Sequence, residues 1–446
     1  MTGLRIAVVG AGPAGMYAIG YLLDHGGPDV VIDLYERLAT PWGLVRSGVA
    51  PDHPEKKLVA DRLFDFSLHD SRVRFLGNVE IGTDISHADL SASYHAVIYA
   101  VGAGDDLKMN IPGEDLPGCF AARSFVAFYN GHPDYQHLDF DLSSERAVIV
   151  GNGNVALDIA RILCTPIEEL ARTDITDRAL EKLAASAIRE VVVLGRRGPA
   201  EAAYNNPELE ELGHIPGVDI AVGGAAMPDS TKGCSWETKR KLEMLAHLAA
   251  RPANPANKRI LFRFLASPLE VVGTDSVNGL KIGENALQAD ASGALRPLPT
   301  GRDEIIGTGL IFRAIGYRGT PFPGLPFDDR SGTIPNDAGR VLGETNTYVT
   351  GWIKRGCRGI IGTNRRCAQQ TVDRLLADLG TGSLPPLPGA AALLPGKRID
   401  LAGWKRIDRH ERDMGRRQNR PRVKIVDREA QLGLAMSEPA TVEACT

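Results

Sequence analysis

A chain of 446 residues exceeds what one hydrophobic core usually organises, so two or three domains are expected. With 43% hydrophobic and 24% charged residues, a net charge of −4 and no run of 18 apolar residues, it reads as globular, with neither nucleic-acid binding nor membrane insertion expected. Six cysteines, none in a C-x-x-C pair, exclude a zinc ribbon and the paired redox thiols of a disulfide reductase, and no metal site is expected.

The first predicted strand, Arg5 to Val9, starts almost at once, which leaves no room for a signal or transit peptide and favours a cytoplasmic protein. It runs straight into GAGPAG and an amphipathic segment, the strand–turn–helix context that gives a G-x-G-x-x-G its meaning. Gly10 permits the tight turn and Gly12 lets the backbone approach a pyrophosphate. Pro13 and Ala14 open the helix, whose N-terminus faces the phosphate charge, and Gly15 allows close helix–strand packing. The next strand ends in Glu36, placed to accept hydrogen bonds from a ribose with free hydroxyls. An acidic strand end suits FAD or NAD rather than NADP.

The chain leaves this first domain near residue 108, and the pattern then returns. Arg146 to Val150 is a strand that feeds GNGNVALDIARIL, with Gly151 and Gly153 in the first two glycine roles and Ala156 in the third. The following strand ends in Arg196 and Arg197, whose planar donor forks match the oxygens of a 2′-phosphate, so this site reads as one for NADP(H). Two dinucleotide sites in one chain point to hydride transfer between cofactors, and FAD links a hydride donor to one-electron carriers.

Further along, Lys239, Arg240 and Lys241 form a basic cluster that enters an amphipathic helix. The chain re-enters the first domain near residue 317. It continues with the strand TYVTGW, a glycine-rich loop beside Trp352, and the helix TNRRCAQQTVDRLLADLG, whose positive end suits negative charge on a flavin. Residues 380 to 398 form a Pro/Gly-rich linker, and the basic tail from Trp404 to Lys424, with acids interleaved, reads as a solvated packing tail. The expected fold is α/β with two Rossmann-like dinucleotide-binding domains. The NADP domain (109–317) is inserted into a discontinuous FAD domain (1–108 and 318–446).

With both sites placed, the chain resembles the adrenodoxin reductase-type ferredoxin–NADP reductases almost end to end. The likeness is carried by PWGLVRSGVAPDHPE, YNGHPD, VGNGNVALDIARILCTP, GRRGPAEAAYNNPELEEL, AIGY, GWIKRGCRGIIGTN and RPRVKIVD. It implies an oxidoreductase that takes hydride from NADPH onto FAD and passes single electrons to a small acidic iron–sulfur protein. It implies FAD contacts at Ala14, Glu36, Leu44, Ile81, Trp352, Gly359, Ile360 and Ile361. NADP contacts are implied at Asn152, Gly153, Asn154, Val155, Arg196, Arg197, Glu208 and Gly359. His53 and Glu211 match positions that line the flavin site and help manage protons, and the basic cluster at 239–241 matches the family's partner-holding surface. The chain departs from the family at Cys357, where Arg-Gly-Pro becomes Arg-Gly-Cys. A quinone-reducing diaphorase and a non-catalytic NADPH/FAD-binding redox sensor share the two turns and stay open as alternatives.

Overall fold

The computed structural model describes residues 4–224, 227, 233–359, 361–382, 384 and 393–437. The chain divides into two compact units. One comprises Met1–Val49, His53–Asp105 and Tyr317–Thr446, the other Ala50–Asp52 and Asp106–Gly316.

In the first unit, strands Val31–Glu36 and Ala96–Tyr99 flank Arg5–Val9, and all three are parallel. Val73–Gly77 lies beyond the former, and Thr347–Val349 and two short antiparallel strands lie beyond the latter, completing seven strands. Both faces are covered, as a parallel sheet requires. Alternate residues of the first strand divide between two cores: Ile6 and Val8 face the helices Pro13–His25 and Thr363–Gly380, while Ala7 and Val9 face Tyr35, Tyr99 and Ile353. The helix Pro13–His25 follows from its residues. Proline stands at its first position, Met16, Ile19 and Leu22 recur at helical spacing on the buried face, and the Gly26 N–H closes the end on the Leu22 carbonyl.

The second unit is a six-stranded parallel sheet in which Glu190–Leu194 and Leu310–Arg313 flank Arg146–Val150. A three-stranded antiparallel sheet, Ala266–Gly273, Val277–Ala289 and Leu295–Gly307, covers one face, with Val271, Leu280 and Ile282 packed against Val148, Val150 and Val192. Helix Asn154–Cys164 packs on the other face, burying Ala156, Leu157 and Ile159.

In both sheets the glycine turn follows the strand from which the chain winds outwards in two directions. Ligands of open α/β sheets bind at the carboxyl end of such a strand. Among the described residues no helix is long and apolar enough to cross a membrane.

Candidate dinucleotide sites

Each turn divides its glycines by purpose. Gly10 and Gly151 have φ of +107° and +117°, and a Cβ there would stand 2.6 Å from the Ala100 carbonyl oxygen and 2.3 Å from that of Ala314. These glycines are demanded by the fold itself. Gly15 is demanded by packing, because its Cβ would meet the Gly10 oxygen at 2.0 Å.

The second glycines differ. Gly12 and Gly153 cap their helices with ordinary extended backbone, φ −79° and −89°. A Cβ on Gly12 would come no nearer than 3.9 Å to any atom, and one on Gly153 would meet nothing within 4 Å. Nothing among the described residues requires glycine at either position. What requires it is a group that approaches the backbone from outside, at the end of a helix whose first N–H groups are free to bind an anion. The residues present therefore fit a pyrophosphate at each turn.

The strands beside the turns end differently. Glu36 accepts the backbone N–H of Ala11 at 2.9 Å and that of Leu38 at 3.0 Å, so it braces the first turn as well as standing at the ribose position. Burial pushes its carboxyl above the usual carboxylate range, against the backbone bonds from Leu38 and Ala11. Arg196 and Arg197 follow the buried strand Glu190–Leu194 and are both exposed. Their backbones are pinned, the Asn285 amide donating to the Arg196 oxygen at 3.0 Å and the Leu265 N–H to that of Arg197 at 3.1 Å. Neither guanidinium forms an ion pair among the described residues. Two cations on a fixed backbone without an internal anion are arranged to take one from solution. Asn154 at the helix start accepts the Asn205 N–H at 2.9 Å, and Asn152 reaches Ala203, which ties the turn to the segment leading into Glu208. Val155 and Glu208 are half-buried.

The glycine-rich loop of the first unit meets the first turn's helix: a Cβ on Gly351 would stand 2.6 Å from the Ala14 Cβ. Trp352 stacks on Tyr317 with centroids 5.9 Å apart, and its indole Nε1 is buried without a hydrogen-bond partner. An orphaned indole N–H is a donor awaiting an acceptor, which an isoalloxazine edge can provide. Gly359 is exposed at φ +87°, Ile361 packs beside the core, and Ile360 lies outside the described residues. Ile81 is buried and Leu44 is exposed.

His53 and Glu211 belong to different units. The His53 Nδ1 lies 3.2 Å from the Lys56 ammonium. Glu211 accepts from Arg161, 4% exposed, at 3.2 Å; Arg161 also grips both oxygens of Asp52 at 2.6 and 3.1 Å and takes Asp158 at 2.9 Å. Arg161, within the second glycine-turn helix, went unmarked in the sequence reading, although basic residues on buried helix faces signal such a hub.

The basic cluster in helix Trp236–Ala249 is uneven. Lys241 is turned inward, donating to the Ala202 oxygen at 2.6 Å with its ammonium 5.1 Å above the Tyr204 ring, and burial lowers its pKa. Lys239 is half-buried. Arg240 is exposed, lies over the ring of Trp236, itself 69% exposed, and comes within 3.8 Å of Glu210.

The tail packs, as expected, with Lys405, Arg409, Arg416 and Arg417 exposed, but it is not solvated throughout. Residues 401–417 form a helix that buries Trp404, Ile407 and Glu411, and the half-buried Arg422 pairs with Glu411. Acids interleaved with arginines here mark internal pairing, which composition alone cannot distinguish from solvation. Trp42 was also missed. Its φ of +83° is an outlier for a bulky residue, a strain on the order of 1–3 kcal/mol that surrounding structure must hold.

A profile of the pyridine nucleotide-disulphide oxidoreductases matches residues 4–193. The chain is 46% identical to the NADPH-ferredoxin reductase FprA of Mycobacterium tuberculosis over 94% of its own length and 96% of that protein's. It is 40% identical to the mitochondrial NADPH:adrenodoxin oxidoreductase of Arabidopsis thaliana, covering 97% and 95%. The structure of Mycobacterium tuberculosis FprA in complex with NADPH aligns with a TM-score of 0.93 at 45% identity, over 98% of this chain and all of the other.

Proposed function

Because this chain belongs to the NADPH–ferredoxin reductase family of the adrenodoxin reductase type, we propose that it is an enzyme that carries electrons from NADPH through FAD to an iron–sulfur protein of the ferredoxin type. The observation that carries this reading is the pair of glycine turns at strand-order switch points, each with a second glycine where a Cβ would meet no clash among the described residues. When bound, FAD accepts hydride from a nicotinamide and releases electrons one at a time.

The chain's own residues divide the remaining work. Gly12, Pro13 and Ala14, with Glu36 at the ribose, hold FAD in the first unit, and Leu44, Ile81, Gly359 and Ile361 shape its surroundings. Asn152 to Val155, with Glu208, receive NADPH in the second unit, and Arg196 and Arg197 select the 2′-phosphate. Trp352 offers its unpartnered indole N–H to the flavin and orients it. His53, beside Lys56, is the candidate for moving a proton. Glu211 serves with Asp52 and Asp158 as a ligand of Arg161, a positioning role more than a proton-handling one. The acidic partner docks around Lys239 and Arg240, and Lys241 acts as a prop inside the helix. Among the described residues Cys119, Cys164, Cys234 and Cys367 are free thiols, which supports a cytoplasmic setting.

The experiment is purification followed by acid release of the flavin and an NADPH-driven cytochrome c assay with and without added ferredoxin. FAD release and a ferredoxin-dependent rate are expected. Released FMN, or a rate indifferent to ferredoxin in folded protein, overturns the reading. For docking, Arg240→Glu should raise the ferredoxin KM several-fold and flatten its dependence on salt, since screening acts over about 10 Å at 0.1 M. Reduction of ferricyanide, which needs no docking, should hold steady; an unchanged ferredoxin KM moves the docking site elsewhere.

A further inference from the structure

A short segment of the first unit lies directly on the first glycine turn. The Trp42 N–H donates to the Ala11 oxygen at 2.9 Å, and a Cβ on Gly43 would stand 3.0 Å from the Gly12 Cα. Backbone therefore passes against backbone beside the second glycine of the turn. The segment holds an unfavourable shape there, with Trp42 at φ +83° and Gly43 at φ +48°, before a single helical turn, Leu44–Ser47. One turn of helix is too short to sustain itself. Something else must fix it.

Arg46, in that turn, donates to the Glu411 carboxylate at 2.6 Å, and its guanidinium also lies 5.5 Å from the centre of the Trp404 ring. Glu411 is fully buried in the helix Leu401–Arg417, 365 residues further along the chain. Its carboxylate also accepts from Arg422 at 3.0 Å and from the Ile425 N–H at 3.0 Å, while Arg422 takes Asp408 at 2.7 Å. Arg412 links Asp408 at 2.8 Å to Asp61 at 2.7 Å, so three arginines meet three carboxylates and the charges balance. Buried ion networks of this kind add little net stability over apolar packing, and their best-attested use is to fix one geometry among several.

We infer that Glu411, acting through Arg46, is a positioning residue for FAD. It clamps the Trp42–Ser47 segment against the first glycine turn, so that the helix Leu401–Arg417 is part of the flavin site. This assignment rests on the reading that the first turn holds FAD. It also explains the RPRVK stretch, in which Arg422 and the nearby Ile425 N–H hold Glu411 in line for Arg46. The clamp works by preorganisation. The strained segment is fixed before the cofactor arrives, and its ordering is not charged to binding.

The test is FAD titration of apoprotein by flavin fluorescence, with the melting temperature of the same apoprotein as control, for Arg46→Gln, Arg46→Lys and Glu411→Gln. Freeing the segment should raise the FAD Kd of Arg46→Gln about tenfold, through lost preorganisation, and shift apoprotein melting little. Arg46→Lys, which keeps the charge, should recover part of the affinity. Glu411→Gln leaves two arginines under-compensated; if it does not fold, the Arg46 pair alone decides. An FAD Kd within twofold of wild type for Arg46→Gln overturns the inference, as does a melting loss that accounts for the whole change. Wild-type apoprotein that takes up no FAD overturns the underlying reading instead, so the two failures are distinct.

Discussion

The two glycine turns begin alike and end differently. Both follow a central parallel strand, both spend a positive-φ glycine on the turn, and at the next glycine of each a Cβ would meet no clash among the described residues. The first is then closed by its own chain: Glu36 takes the Ala11 N–H, and the Trp42–Gly43 segment lies across Gly12. The second ends in two arginines pointing into solvent with nothing among the described residues to neutralise them. An enclosed turn suits a cofactor that stays. An open one with free charge suits a nucleotide that binds, reacts and leaves. On the proposed function the same backbone serves a resident and a visitor, and the difference lies in the residues around it.

The sharpest way to break that comparison is to substitute within each turn. Gly12→Ala and Gly153→Ala place a methyl where backbone geometry allows it and no protein atom objects, so the apoprotein should keep its stability or gain about 0.4–1 kcal/mol from a stiffer unfolded chain. Each should nonetheless lose its nucleotide, by about 100-fold or about 2.7 kcal/mol, because the methyl fills the approach to the pyrophosphate. Gly10→Ala and Gly151→Ala should do the reverse and destabilise the fold by about 1–3 kcal/mol or more from backbone strain alone. Calorimetric titration of FAD and NADP+ alongside melting curves checks all four. Equal nucleotide affinity in Gly153→Ala would show that the open space is incidental.

A second test acts on the strand ends. Changing Arg196 and Arg197 together to Ala should weaken NADPH by about 1.5–3 kcal/mol per lost contact, one to two powers of ten each, and leave NADH almost untouched. The ratio of the two KM values is the readout. A parallel loss with both nucleotides would make the arginines structural and erase the distinction between the turns.

Much of this contrast was legible in the sequence because it rests on local rules. The strand–turn–helix junctions, the acidic and the basic strand ends and the helix Thr363–Gly380 follow from residues within about 30 positions of one another. What stayed hidden depends on long-range pairing. Arg46 and Glu411 are 365 positions apart, and Arg161 meets Asp52 across 109. No periodicity marks such partners. The basic tail is only partly solvated for the same reason, since Glu411 looks exposed until the fold buries it against the half-buried Arg422. Lys241 teaches the converse: three consecutive basic residues look like one patch, yet helical spacing sends the third inward.

The smallest expected effect tests how Glu36 braces the first turn. Burial raises its folded-state pKa above the unfolded value of about 4.3. The folded form therefore holds this proton more tightly than the unfolded chain does. The contribution of Glu36 to stability is greatest below the unfolded pKa and is lost as pH rises through the folded one. Glu36→Gln removes that titration. Its amide carbonyl can still accept one of the two backbone N–H groups, so the variant should give up about 1 kcal/mol for the other. It should recover part of that at neutral pH, where a buried charge is no longer required. Denaturant unfolding of the apoproteins between pH 4 and 8 should therefore show the wild type losing stability relative to the variant as pH rises. Parallel curves across that range would mean that the carboxylate titrates as in solvent, and that the enclosure separating the first turn from the second is weaker than its hydrogen bonds suggest.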